Sequence, residues 1–241
     1  MIRRLVSPVI RVAVREQMAG QSELEVGKRI ETLSDVVNRT TTVVIFVVAV
    51  VTVLPLFGIA AGPLIAGLGL VGLAVGFGAQ NLVRDVINGL EILIENQYAR
   101  GDYVRLGSVS GVVEDINLRR TVLRDFDGNV HFVSHGHIDV ASNFTRGASR
   151  VNFNVFVSYG VDLERVFAVI DRAGAELAAD AEYAPLIRKA ARAAGVDAFG
   201  EASLQVRVEG VTEPGEQWRV AGELRRRLKL AFDAEGISLR P

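Results

Sequence analysis

Between Val43 and Ala79 the chain runs through VVIFVVAVVTVLPLFGIAAGPLIAGLGLVGLAVGFGA without one charged residue. A bilayer is crossed by about 20 apolar residues in a helix, so the run is long enough for two spans. Gly58 to Pro63 supplies the break between them. The run also accounts for a hydrophobic fraction of 49%, more than a polar domain of this length requires. Two membrane helices are therefore expected, at residues 41–62 and 63–80, after an amphipathic N-terminal segment at 1–40.

Orientation follows from the basic residues near the span ends. Arg3, Arg4, Arg11, Arg15, Lys28, Arg29 and Arg39 precede the first span, and Arg84, Arg100 and Arg105 follow the second, while the loop between them has none. Cytoplasmic chains next to spans are enriched in Lys and Arg, so both ends are expected inside, in a multi-pass protein of the cell (inner) membrane. The apolar residues of 1–15 are interrupted by arginines, and no cleavable signal peptide is expected. A net charge of -1 provides no basic field for nucleic acid, and the absence of cysteine removes disulfides and thiolate chemistry.

Gly67, Gly69 and Gly72 have the spacing of a dinucleotide-binding turn. That turn needs a short strand before it and a stable helix after it. The preceding apolar run is too long for one strand, and Gly76 and Gly78 weaken the helix that would hold a phosphate. A membrane helix fits better. At 100° per residue, Ala66, Gly69, Leu70, Leu73, Phe77 and Gln80 share one face. Gly72, Gly76 and Ala79 form one flank and Gly67, Ala74 and Gly78 the other, with Leu64, Leu68, Val71 and Val75 at the back.

Small residues let helices approach closely in a membrane. Two small flanks suit a ring in which each copy presses on the next, with Leu73 and Phe77 as apolar collars at the axis. The same pattern also suits a glycine-rich span packed on the first span in a monomer or dimer. From Leu82 to Tyr98 the sequence becomes an amphipathic helix suited to the membrane surface, so a bend is expected at Gln80 to Leu82 and an interfacial helix at 81–100.

The run GLAVGFGAQN, followed by GDYVRLGSVSGVVEDINLRRTVLRDFDG and SNFTR, resembles the small-conductance mechanosensitive channel (MscS-like) family. The resemblance covers about Arg29 to Ile237. It implies a homoheptamer whose last span lines a pore above a hollow cytoplasmic vestibule, opened by membrane tension to release ions and small solutes on hypoosmotic swelling. Its partners would be further copies of the chain, membrane lipids and the permeant solutes. Carried onto this chain, Leu73 and Phe77 match the pore constriction. Asn81 stands where the best-known members have a hinge glycine, and Gly89 matches a second glycine that can act as a break. The family usually has a further N-terminal span, where residues 1–40 here are polar and amphipathic, and usually continues into a C-terminal strand beyond the last residues of this sequence.

The fold class expected is membrane α-helical, with a kinked second span, plus a small Sm-like β-barrel at 101–150 and an α+β domain of ferredoxin-like type at 151–241. Strands are predicted at Tyr103 to Leu106, Val112 to Ile116, Thr121 to Phe126 and Asn129 to Val133, with a hairpin turn at Asp127-Gly128. The last domain reads as a strand (Val151 to Ser158), a helix (Asp162 to Ala179), a short helix (Ala184 to Ala193), a strand (Ser203 to Glu209) and a helix (Gly215 to Ala234).

Arg84 and Asp85 follow the hinge and are assigned to the charge at the pore mouth. His131, His135 and His137 cluster in sequence, yet no nearby carboxylate or cysteine completes a metal set, and His135 stands where the family usually has asparagine. No cofactor, metal site or catalytic motif is expected. A non-conducting membrane scaffold with a ligand-binding vestibule is the alternative to a channel.

Overall fold

The computed structural model describes residues 23–239. It divides into two compact units, residues 1–78 and 79–241, which are taken separately. The amphipathic segment expected at 1–40 lies partly outside the described residues. Its remainder belongs to the first helix, α1, which spans Glu23–Val53.

Within α1 the polar side chains of Thr41, Thr42 and Thr52 donate to the carbonyls of Val37, Asn38 and Val48 at 2.7 to 2.8 Å. Hydroxyls in an apolar helix thereby find partners without water. The helix gives way at Pro55 to a 3-10 turn, Leu54–Phe57, because proline has no N–H for the α pattern. Gly58, at φ 76°, closes the turn by donating to Pro55 O at 3.0 Å. The first helix thus ends short of residue 62. The second, α2, is a single α-helix over Gly62–Ile94 with Pro63 in its first turn. Both apolar stretches, Ile30–Phe57 and Gly62–Ile94, are long enough to cross a membrane.

In the second unit α2 ends at Ile94, earlier than Tyr98. Asn96 takes the left-handed conformation (φ 49°) and Gln97 N donates back to Ile92 O at 3.1 Å. Five strands follow: β1 (Tyr103–Leu106), β2 (Val109–Ile116), β3 (Arg120–Arg124), β4 (Val130–Ser134) and β5 (Ala141–Asn143). They form one antiparallel sheet in the order β4-β3-β2-β1-β5 around Ile92, Tyr98, Val104, Leu106, Val113 and Leu123. The loop between β3 and β4 is longer than the two-residue turn expected at Asp127-Gly128, since Arg124 pairs with Val130. The Asp125 carboxylate occupies that loop, accepting from Asn129 N at 2.8 Å and meeting His131 Nε2 at 2.9 Å. His131 first, then Asn129, hold the Asp125 carboxyl down at about 2.

The C-terminal domain contains β6 (Ser149–Val157), α3 (Leu163–Ala179), β7 (Ile187–Phe199), β8 (Leu204–Thr212) and α4 (Gln217–Ala234). The sheet order is β6-β8-β7, all antiparallel. An antiparallel bridge from Val157 to Leu239 begins a fourth position beside β6, completing the ferredoxin-like order. Val166, Ile170, Leu177, Val206, Val208, Leu224 and Phe232 are fully buried between helices and sheet. Each such side chain stabilises the fold by roughly 1.5–3 kcal/mol.

One element is corrected. The alanine-rich stretch Ala184 to Ala193, expected to be helical, is a 3-10 turn (Ala184–Leu186) leading into β7. Alanine's helix propensity is a few tenths of a kcal/mol per residue, and close packing outweighs it. A Cβ on Gly174 of α3 would lie 1.9 Å from Ala191 O, and one on Gly210 of β8 would lie 3.0 Å from Ala191 Cα. Small residues at both positions let strand and helix meet, and Asp171 Oδ1 accepts from the irregularly paired Ala193 N at 2.8 Å.

Gly174→Ala should accordingly destabilise the domain by about 1–3 kcal/mol through overpacking. Gly222→Ala, on the exposed face of α4 with open space at Cβ, should stabilise by about 1 kcal/mol. Thermal midpoints of the purified full chain in detergent should shift in opposite directions, and shifts of the same sign would contradict this packing.

Candidate functional site

Leu73 and Phe77 are four residues apart on α2, so they lie about 6 Å apart along its axis on one face. The apolar stretch of the helix has no buried residues, and Leu70, Leu73 and Phe77 are 70%, 60% and 75% exposed. A Cβ added at Gly67, Gly69, Gly72, Gly76 or Gly78 would meet nothing within 4 Å. Ala66, Ala74 and Gln80 are likewise exposed, and Ala79 is half-buried. An apolar helix with small, open flanks and large open side chains is stable in lipid or against other helices, and not in water.

The bend expected at Gln80 to Leu82 falls within one continuous α-helix. α2 keeps α-helical structure from Gly62 through Asn81 to Ile94, and Asn81 is not among the positive-φ residues. Gln80 and Asn81 change the polarity of the surface without breaking the hydrogen-bond ladder, since asparagine is only moderately unfavourable inside a helix.

Beyond Asn81 the helix meets the β module. Asp85, assigned with Arg84 to the charge at the pore mouth, is instead buried, and its Oδ1 accepts from Gly136 N at 2.7 Å. Arg84 stays exposed. One turn further, Asn88 Nδ2 donates to His135 O at 3.1 Å. At Gly89 the helix touches the module without a side chain, for a Cβ there would lie 2.1 Å from Leu118 O and 2.4 Å from His135 Nδ1. Gly89 is therefore a contact glycine inside a continuous helix. Ile92 and Tyr98 complete the joint by entering the core of the module.

The three histidines have separate surroundings. His131 pairs with Asp125 in the β3–β4 loop, and His137 is exposed. His135 is fully buried, with Nε2 2.9 Å from Thr121 Oγ1, which is in turn 3.0 Å from the Tyr98 hydroxyl. Burial pushes the His135 imidazole below its ordinary value, against smaller upward effects of the Leu118 carbonyl and Asp85. It also raises the Tyr98 phenol, against the hydrogen bond from Thr121. The spacing of the histidines in the sequence did not distinguish them. The signal that was available is apolar context, because His135 follows the strand VHFVS and precedes a glycine.

Two helices long and apolar enough to cross a membrane, a five-stranded β module seated on the end of the second helix, and an α+β domain define the class of a membrane protein with an appended soluble part. Three family models match most of the chain from residue 39 onward: residues 39–80 match transmembrane helices 2/3 of the mechanosensitive ion channel, 81–146 its beta-domain, and 151–239 the MscS C-terminal domain. The chain is 30% identical to a small-conductance mechanosensitive channel of Caldanaerobacter subterraneus, over 88% of this chain and 74% of the relative. It is 32% identical to a moderate conductance mechanosensitive channel of Escherichia coli over 87% of this chain, but spans only 28% of that longer protein. The crystal structure of Helicobacter pylori MscS in its closed state has the same fold, with a TM-score of 0.71 at 23% identity, covering 100% of this chain and 91% of that one. The chain belongs to the MscS-like family of mechanosensitive ion channels and is a membrane protein.

If Asp85 serves as an acceptor for Gly136 N, the neutral isostere should replace it. Asp85→Asn should retain the thermal midpoint of the detergent-solubilised chain, whereas Asp85→Leu, which leaves a buried N–H unpaired, should cost about 1–3 kcal/mol. Equal losses in both variants would show that the negative charge itself is required.

Proposed function

We propose that this chain forms a homo-oligomeric, weakly selective channel that membrane tension opens, releasing ions and small solutes on hypoosmotic swelling. Seven copies are the expected assembly, in the inner membrane with both chain ends in the cytoplasm. The observation that carries the reading is the open, small-flanked face of α2 around Leu73 and Phe77. In a ring, Gly72, Gly76 and Ala79 of one copy would press on Gly67, Ala74 and Gly78 of the next. Ala66, Gly69, Leu70 and Gln80 would line the pore, with Arg84 near its cytoplasmic mouth.

The gate is hydrophobic in this account. A narrow throat ringed by Leu73 and Phe77 excludes water because its walls offer no hydrogen bonds. Tension stabilises whichever state occupies more membrane area, so a state with separated helices gains population as tension rises and the throat wets as it widens. Glycine flanks permit the sliding, because they present no side chains to interlock.

Polarity and size are separable at these positions. Leu73→Ser and Phe77→Ser should lower the opening tension in membrane patches and leave cells leaky, while Leu73→Met should be nearly silent, since volume and polarity are kept. Unchanged or raised thresholds in both serine variants, at matched protein levels, would contradict the hydrophobic gate. Absence of current from the unaltered chain would favour the non-conducting scaffold.

A further inference from the structure

The buried hydrogen-bond chain at His135 admits one neutral arrangement. Leu118 O can only accept, so His135 Nδ1, 3.4 Å away, carries the ring proton. Nε2 is then the acceptor for the Thr121 hydroxyl at 2.9 Å, and Thr121 Oγ1 accepts from Tyr98 at 3.0 Å. Tyr98, Thr121 and His135 are all buried, so every member of this chain depends on the others for its partner. The backbone of His135 belongs to the same joint, its carbonyl accepting from Asn88 and its N–H donating to Arg119 O at 3.0 Å.

A second proton on the ring would sit on Nε2 and face Thr121. Thr121 would have to accept it and turn its own hydrogen to Tyr98, leaving the Tyr98 hydroxyl hydrogen without an acceptor in a buried site. A positive charge would also be buried between Gly89 of α2 and the Leu118 carbonyl. The charged and titratable groups around it are few. From α2 these are buried Asp85 and exposed Arg84, from the segment after α2 Tyr98, from the β2–β3 turn and β3 Arg119 and Arg120, and from the turn after β4 exposed His137 and Asp139. Asp85 is the group that favours the charged ring, but its Oδ1 is already engaged by Gly136 N.

We propose that His135 is a positioning residue that clamps the cytoplasmic end of α2 to the β module only while its imidazole is neutral, so that acid loosens the joint. As a statement about gating this rests on the channel reading of α2. As a statement about the joint it stands on the geometry of residues 85–98 and 118–136.

The sign follows from linkage. In the docked state the imidazole titrates below its ordinary 6.5, and in a detached state, where water reaches it, at that ordinary value. The detached state therefore takes up the proton more readily. Docking is favoured in full above about 6.5 and weakens as pH falls from there towards the docked value.

Hydrogen exchange of the full-length chain in detergent, corrected for the intrinsic pH dependence, reads this directly from the peptide covering 84–98. Between pH 7.5 and 5.5 the protection of that peptide relative to β8 should fall by up to about tenfold, the limit for one site with an ordinary pKa of 6.5. His135→Asn offers an amide donor and acceptor that do not titrate, so it should stay docked and lose the pH dependence. His137→Asn and His131→Asn should retain it. Unaltered protection of the wild-type peptide at pH 5.5 overturns the proposal without reference to any variant, and so does an equal loss in folded His135→Asn. Opening thresholds in patches at the two pH values provide the second arm: because exchange requires no current, a joint that loosens in a chain that does not conduct would refute the channel reading alone.

Discussion

At Gly89 the absence of a side chain determines where the β module can sit. The Leu118 carbonyl occupies the space a Cβ would need, and the helix and module meet backbone to backbone. Around that contact, Asp85 holds Gly136 N, Asn88 holds His135 O, and Ile92 and Tyr98 fill the apolar core. Four attachments within about two turns, with Tyr98 just beyond the helix, make the end of α2 part of the β module's own structure, and its last residues belong to the soluble fold as much as to the helix.

That arrangement gives the helix two chemically different halves. From Gly62 to Ala79 it has no charge and offers open glycine flanks, while from Arg84 onward it is polar on one side and anchored on the other. The hydrogen-bond ladder is unbroken across the change. In the proposed channel, tension acts on the first half through the area the helices occupy, and the anchored half connects that displacement to the β module. A loosened anchor would let the first half move without the module, which is the physical reason to place a control there.

Much of this was legible in the sequence. The uncharged run identified the spans, the strand limits of β1 were found to the residue, and the two small flanks of α2 follow from glycine spacing alone. The misread parts share a cause, which is that tertiary contact outweighed local preference. The alanine-rich stretch around Ala191 looks helical, but Gly174 of α3 and Gly210 of β8 both lie against Ala191, and the stretch pairs with β8 as a strand. Asp85 follows the expected hinge and reads as pore-mouth charge, and only the fold brings it to Gly136 N, fifty-one residues away in the chain, as a buried acceptor. Gly89 matched a break by position, whereas the fold uses it as a contact. Spacing alone did not separate His135 from His131 and His137, and the turn after β4 places the His135 ring inside.

The central claim is that tension opens a pore lined by α2. Purified chain reconstituted in liposomes and recorded in excised patches under graded suction tests it most directly, with native mass spectrometry of the same preparation to establish the number of copies. The account predicts stepwise currents that appear above a threshold suction, vanish on its release and come from a seven-copy assembly. Silent patches up to the tension that ruptures the membrane, from a preparation shown to be oligomeric, would contradict it.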